Sequence, residues 1–157
     1  MPRIWLAMVL FWLCGPAWAL LPATLDSADL RLSLGPSMAY LEDSKGMLSA
    51  EQVGALSDER FTPVNGEHAN LGKNDSVWWF KVRLNNRLAQ DLAGYLEVNY
   101  PLLDHLQVYL RHADGQWQMQ ESGDRFAFSQ RPVQVRNFWF PLELTPGDST
   151  LLVRVET

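Results

Sequence analysis

Four large aromatic residues stand where an alternating strand pattern normally carries polar side chains. They are Trp79, Tyr95, Tyr109 and Trp139. Each alternates with apolar neighbours along its predicted strand. Because successive side chains of a strand point to opposite faces, the parity of its position predicts that its ring points away from the core. Aromatic rings stack on the faces of sugar rings, and an exposed apolar patch on a monomer usually marks a binding site or an interface. The four rings therefore predict recognition of a carbohydrate-like ligand.

Basic residues accompany the rings, and a structural interpretation of the rings stays open beside the binding one. Lys81, Arg83 and Arg111 share the parity of the rings and could donate hydrogen bonds to hydroxyl or carboxylate groups of a ligand. In the structural interpretation, the rings pair across strands or lie beneath the N-terminal segment and a short helix. The two interpretations are equally consistent with the sequence, and the binding one makes Arg83 a candidate ligand residue.

Three carboxylates at predicted strand ends or loops are the candidate metal ligands. They are Asp75, Asp104 and Asp124. Calcium takes several oxygen ligands from such loops. The chain has no dense Asp-x-Asp-x-Asp loop, so turn and capping roles are favoured for the three residues. Calcium is thus the one metal that the pattern admits, and no cofactor is required.

The sequence contains no recognisable catalytic motif. Gly-x-Ser-x-Gly, phosphate-binding-loop and His-Glu-x-x-His motifs are absent. The three histidines are spread along the chain without metal-ligand spacing, and no spacing brings Glu97, Glu143 or Glu156 together as a glycosidase pair. The sequence therefore predicts a binding domain and not an enzyme.

Short alternating segments must position these residues. Residues 77–84 alternate between apolar and mostly polar faces, which predicts a half-buried strand. Similar segments are 38–43, 95–100, 106–111, 116–120, 138–144 and 151–155. Pro141 has no amide to donate, which places its strand at an edge or a bulge, and Ser49 with Gln52 has the spacing of a helix capping box. Many short strands with one brief helix predict an all-β antiparallel sandwich.

The N-terminal residues have the pattern of a secretory signal peptide. Arg3 precedes an apolar run at 4–14, and Ala-Trp-Ala at 17–19 supplies the small residues that a signal peptidase reads. The 11 apolar residues are too few to span a bilayer, which takes about 20. A lipoprotein site at Cys14 is disfavoured because Leu13 before it is not small. We expect a cleaved signal peptide at 1–19, a lead-in segment at 20–36 and a sandwich domain at 37–157.

The expected mature chain is acidic and has no cysteine. Cleavage after Ala19 leaves 138 of the 157 residues and removes Cys14 and Arg3. The domain then has no disulfide and no thiolate metal site. Its 12 basic and 18 acidic residues give a net charge of −6, which argues against nucleic acid and anionic lipid surfaces as partners.

Three sequence blocks resemble one known family. They are NDSVWWFKVRL at 74–84, YPLLDHLQVY at 100–109, and a long block at 122–142 that contains SGDRF, FSQRP and RNFWFPL. Together they are similar to the type 2 extracellular domain of the 7TM-DISM receptors, which are seven-transmembrane receptors with diverse intracellular signalling modules. The resemblance covers 40–157. It implies a jelly-roll sandwich similar to carbohydrate-binding modules, located in the periplasm as the extracytoplasmic part of an inner-membrane protein.

The resemblance also implies how the domain acts. In family members, seven membrane helices and a histidine kinase or diguanylate cyclase follow the sensor domain. The family's domain continues past the end of this chain, so we expect one or more closing strands beyond residue 157. The expected partner is a carbohydrate-like small molecule or another receptor's periplasmic domain, and a homodimer is compatible with both.

Two arginines of the third block extend the candidate ligand site. Arg131 and Arg136 could clamp an anionic group of a ligand, and the alternative is a salt bridge or a bond to loop carbonyl groups. Two other function classes also stay open. One is a free secreted carbohydrate-binding module, and the other is a pure protein-interaction domain that binds no small molecule.

Overall fold

The chain folds into short strands with little helix, in a computed structural model that describes residues 19–29, 31–67, 69, 71 and 76–156. Its strands are β1 (Ala23–Leu25), β2 (Met38–Asp43), β3 (Thr62–Pro63), β4 (Val77–Asn86), β5 (Leu92–Val98), β6 (His105–Arg111), β7 (Trp117–Ser122), β8 (Phe138–Leu144) and β9 (Gly147–Glu156). Within the described residues, one α-helix, α1 (Ala50–Ala55), lies between β2 and β3, and 3-10 turns occupy Gly35–Ser37, Asp58–Arg60 and Phe128–Gln130. The predicted all-β sandwich with one short helix is confirmed.

Two sheets form the layers of the sandwich. The larger sheet has the order β3-β2-β4-β9-β6-β7, with antiparallel neighbours throughout. Strand β1 joins it by pairing in parallel with the end of β4, beyond the part of β4 that pairs with β2. The smaller sheet consists of β5 and β8, which pair antiparallel with Leu96 opposite Phe140. Pro141 lies on β8, which is an edge strand of this two-stranded sheet, as predicted.

Apolar side chains from the inner faces of both sheets make the main core. The smaller sheet supplies Leu96, Phe138, Phe140, Leu142 and Leu144, and the larger sheet supplies Val82, Leu84, Leu106, Val108, Leu110, Leu151 and Val153. Most of these residues recur at every second position of their strands, as the alternating pattern predicts. Phe138 and Phe140 are fully buried, and burial of each side chain contributes roughly 1.5–3 kcal/mol to folding. This core holds the smaller sheet against the larger one.

A second apolar cluster covers the outer face of the larger sheet. It joins Val77, Trp79, Ala39 and Leu152 of the sheet to Ala50 and Val53 of α1, and to Phe61 and Leu20. Helix α1 begins with the predicted capping box. The Ser49 hydroxyl accepts a hydrogen bond from the backbone N–H of Gln52 at 3.3 Å. In return, the Gln52 side-chain oxygen accepts one from the backbone N–H of Ser49 at 2.8 Å. The larger sheet is therefore covered on both faces around Trp79 and Leu152.

Candidate functional site

The four predicted aromatic residues form two separate pairs on opposite outer faces of the sandwich. The Trp79 and Tyr109 rings lie 5.8 Å apart on the larger sheet. The Tyr95 and Trp139 rings lie 5.6 Å apart on the smaller sheet. None of the four belongs to the core between the sheets, in agreement with the predicted parity. Because the pairs share no surface, each pair is a separate candidate site.

The Trp79–Tyr109 pair is covered and is not a solvent-facing site. Trp79 is 1% exposed because α1 and Leu20 pack over it. Tyr109 is half-buried between Trp79 and Trp117, and this burial raises the pKa of its hydroxyl. The prediction that these two rings are open to a ligand is wrong, because parity determines the face of a strand and not whether another segment covers that face. The structural interpretation holds for this pair.

The basic residues beside the covered pair are held by an internal carboxylate. Lys81 Nζ lies 3.1 Å from Asp58 Oδ1, and Arg83 Nη2 lies 3.0 Å from Asp58 Oδ2. Burial by itself raises the pKa of Asp58, but hydrogen bonds from Lys81 and from the Leu20 amide outweigh it, and the pKa is lowered. Arg83 thus has a structural partner on the covered side of the sandwich. Its side chain is 50% exposed and lies apart from the open rings, and its assignment as a ligand residue stays a prediction.

The Tyr95–Trp139 pair is open to solvent and borders a depression. Tyr95 is 62% exposed, and the half-buried Trp139 ring is inclined to the Tyr95 ring by 45°. The depression has a volume of about 430 Å³ and is lined by Glu97, Asn99, Pro101, Val135, Arg136, Asn137 and Trp139. The structure therefore brings three predicted ligand residues together, with Arg136 and Trp139 in the depression and Tyr95 beside it.

Hydrogen-bonded side chains give the depression a polar wall. The Asn137 side chain donates to Glu97 Oε1 at 2.8 Å and to Asn99 Oδ1 at 2.9 Å. Asn137 directly precedes β8, Glu97 lies in β5, and Asn99 directly follows β5, so these bonds connect the two strands. They also fix the orientation of the Asn137 amide. Carboxylate, amide and guanidinium groups beside two aromatic rings suit a ligand that carries several hydroxyl groups.

Part of this polar wall was missed from the sequence. The sequence does not single out Asn99 or Asn137, and it offers Glu97 only as a possible catalytic carboxylate. One signal was available, because Glu97 shares the parity of Tyr95 on the same strand. The contribution of Asn137 depends on β5 and β8 pairing in one sheet, which places Glu97 opposite Trp139.

Arg131 supports the depression without lining it. Its guanidinium donates to the carbonyl oxygens of Val135 at 2.9 Å and of Arg136 at 2.7 Å. The same guanidinium lies over the Phe138 ring, 4.6 Å from the ring centroid. The expected clamp on a ligand anion is therefore corrected to the alternative, a set of bonds to loop carbonyl groups. Arg131 positions the segment that carries the exposed Arg136.

Two of the three candidate metal ligands, Asp104 and Asp124, lie among the described residues. Asp104 Oδ2 lies 3.6 Å from Arg125 Nη2, and Asp124 is an exposed loop residue. Asp75 lies outside the described residues. Across 19–29, 31–67, 69, 71 and 76–156, no group of three or more His, Cys, Asp or Glu side chains could hold a metal ion. Calcium binding gains no support from Asp104 or Asp124 and stays a prediction for Asp75.

Comparison with known proteins identifies the family of this sandwich. The family described as 7TMR-DISM extracellular 2 matches residues 35–157, a range that includes both aromatic pairs and the depression. No curated protein matches the chain. In the described residues, no helix has the length and apolar character needed to cross a membrane. A domain of this family is the extracytoplasmic sensor of a membrane receptor and not an enzyme, as the sequence predicted. The chain belongs to the 7TMR-DISM extracellular 2 family.

Proposed function

We propose that this domain is the periplasmic ligand-sensing part of a membrane-bound signal-transduction receptor and that it recognises a carbohydrate-like ligand at the Tyr95–Trp139 pair. The observation that carries the proposal is the 62% exposure of Tyr95 beside Trp139, at the border of a polar depression. Exposed rings next to hydrogen-bonding groups offer the stacking surface, the donors and the acceptors that a sugar ring requires.

Each group around the depression has a defined part in binding. Tyr95 and Trp139 have few rotatable bonds, so they present a large ring area at low entropic cost. The exposed Arg136 donates hydrogen bonds to hydroxyl or carboxylate oxygens of the ligand. The Glu97 carboxylate has more acceptor capacity than its one bond to Asn137 uses, so it accepts from ligand hydroxyl groups.

The depression is also placed where a ligand can influence the packing of the sandwich. One part of its lining, from Glu97 to Pro101, comes from the end of β5 and the residues that follow it. The other part, from Val135 to Trp139, comes from the residues before β8 and the start of that strand. A ligand that contacts both favours one arrangement of the sandwich against membrane helices that follow residue 157. It can shift that equilibrium only by its difference in affinity for the two arrangements. The output regulated in this way is a histidine kinase or a diguanylate cyclase.

Titration of the exported, purified chain with neutral, acidic and basic oligosaccharides tests the ligand class. Trp139→Ala and Tyr95→Ala should each weaken binding by about tenfold or more, because buried aromatic contacts are among the strongest in interfaces. Met119→Ala is the matched control, since it removes an exposed apolar side chain from β7 of the larger sheet. The control should leave the affinity unchanged. Oligosaccharide binding that neither ring substitution weakens would place the ligand site elsewhere.

Other outcomes distinguish the remaining function classes. If no oligosaccharide binds and a second receptor's periplasmic domain binds through Trp139, the domain is a protein-interaction module. If no hydrophobic spans follow codon 157 in the reading frame, it is a free secreted carbohydrate-binding module. A calcium-dependent rise in Tm that Asp75→Asn abolishes would establish the predicted cation role.

A further inference from the structure

At the bond that the export signal predicts to be cut, an exposed residue is followed by a buried one. Ala19 is exposed, whereas Leu20 is 4% exposed and lies in the apolar cluster with Val53 and Trp79. The next residue, Leu21, is 73% exposed. A single apolar side chain is therefore inserted into the domain at the predicted start of the mature protein.

The backbone nitrogen of Leu20 has a buried carboxylate as its partner. It donates to Asp58 Oδ2 at 3.1 Å. Asp58 is 8% exposed and also pairs with Lys81 and Arg83, at 3.1 Å and 3.0 Å. A buried carboxylate requires several donors. One of these donors is thus the nitrogen of the bond between Ala19 and Leu20.

We propose that a signal peptidase cleaves between Ala19 and Leu20 and that the new amino terminus docks on Asp58, which anchors the mature chain beside α1. Cleavage is a hydrolysis in which the peptide C–N bond breaks. Water supplies a hydroxyl group to the Ala19 carbonyl carbon and a proton to the Leu20 nitrogen. The nitrogen that contacts Asp58 then becomes the α-amino group, which donates hydrogen bonds in both of its protonation states.

Two independent observations place the cleavage at the same bond. The small residues at 17 and 19, after the apolar run at 4–14, select it from the sequence. In the structure, the same bond joins the exposed Ala19 to the buried Leu20, whose nitrogen contacts Asp58. The peptidase must act while Leu20 is outside its buried position, because the enzyme needs access to the bond and the Leu20 nitrogen is buried in the folded domain. This anchoring is separate from the sensor function and does not depend on a ligand.

The first test is the intact mass of the chain, expressed with its own residues 1–19 and recovered from the periplasm. We expect a protein that begins at Leu20. A protein that retains residues 1–19, or one that begins at any other residue, would overturn the proposal.

The second test is the reactivity of the new amino group towards an amine-acylating reagent at neutral pH, measured by peptide mass spectrometry. The Leu20 amine in the folded protein should react about tenfold or more slowly than in urea-unfolded protein, because a buried group reacts only through local opening. Insertion of Gly-Ser between Ala19 and Leu20 is the control, since it moves the amine into solvent and should restore fast labelling. Equal rates for the folded and unfolded native sequence would show that the terminus is not docked.

A pair of neighbouring substitutions tests the anchor itself. Leu20→Ala should lower Tm by roughly 5–15 °C because it empties a buried position. Leu21→Ala is matched in residue type but changes an exposed side chain, so Tm should stay nearly constant. Equal effects of the two substitutions would contradict an anchoring role for Leu20.

Discussion

The two outer faces of the sandwich carry similar aromatic pairs in opposite environments. On the larger sheet, Trp79 and Tyr109 lie 5.8 Å apart in the cluster that α1 and Leu20 cover. On the smaller sheet, Tyr95 and Trp139 lie 5.6 Å apart beside an open depression. The pairs thus differ in what covers them much more than in their ring spacing.

This difference separates two roles for the same residue types. A covered ring contributes to folding, because its apolar area is removed from water. An open ring keeps that area available for a ligand, and an exposed apolar patch on a domain surface commonly serves binding. We therefore expect substitutions on the covered face to change stability, and substitutions on the open face to change binding.

The largest expected effect tests this separation directly. Trp79→Ala should lower the free energy of unfolding by about 3–5 kcal/mol, because it removes a fully buried ring and leaves a cavity beneath α1. Trp139→Ala on the open face should cost only about 1 kcal/mol. Urea denaturation followed by circular dichroism measures both values. Equal losses would show that the two faces do not differ in role.

A smaller effect concerns the buried carboxylate on the covered face. Asp58→Asn should lower the free energy of unfolding at neutral pH by about 3 kcal/mol, because Lys81 loses its buried partner. Burial raises the pKa of Asp58, but the bonds from Lys81 and the Leu20 amide lower it overall. Because the pKa of Asp58 is lower in the folded chain than in the unfolded chain, the ionised carboxylate stabilises the fold. This stabilisation is complete at pH values above the pKa in the unfolded chain, and it is lost as the pH falls through the pKa in the folded chain.

Urea denaturation at a series of pH values from neutral to acidic therefore checks the Asp58 prediction. The wild-type chain should lose stability in the acidic range below the ordinary aspartate pKa of 3.8. The Asp58→Asn chain should lose less over the same range, since it has no proton to bind at this position. Parallel pH profiles for the two chains would show that the Asp58 ion pairs do not stabilise the covered face.

Local features of the fold could be predicted from the sequence because neighbouring residues determine them. Strand β2 occupies the predicted residues 38–43, and the capping box of Ser49 and Gln52 forms as expected. The cover over Trp79 could not be predicted in the same way. It requires Leu20 and α1, which are distant from Trp79 in the chain, and no local pattern shows that they will meet it.

The open site was predicted only in part, for the same reason. Residue type and parity selected Tyr95 and Trp139, and the family resemblance selected Arg136 together with Arg131. The bonds of Asn137 depend on the pairing of β5 with β8, which is a long-range contact. The role of Arg131 depends on a loop whose carbonyl groups turn towards its guanidinium, and neither spacing nor composition indicates that arrangement.

The smallest expected effect compares a glycine under the cover with a glycine of the smaller sheet. At Gly54 in α1, a Cβ atom would lie 2.8 Å from Trp117 Cζ2, so the ring must move. Overpacking of this kind costs about 1–3 kcal/mol, which exceeds the gain of about 1 kcal/mol in helix propensity. Gly54→Ala should therefore lower the free energy of unfolding by about 1 kcal/mol, measurable by urea denaturation.

Gly94 on β5 provides the matched position on the other sheet. In the described structure, no heavy atom beyond Gly94 and its two chain neighbours lies within 4 Å of the Cβ position at Gly94, and its φ is not positive. Gly94→Ala should therefore be neutral or stabilise the chain by about 0.5 kcal/mol, since alanine loses less conformational freedom than glycine on folding. If Gly54→Ala is tolerated equally well, α1 can move away from the larger sheet. The packing of α1 over Trp79 would then be able to change. The two outer faces would differ in the free energy needed to expose their aromatic rings, and not in whether the rings can be exposed.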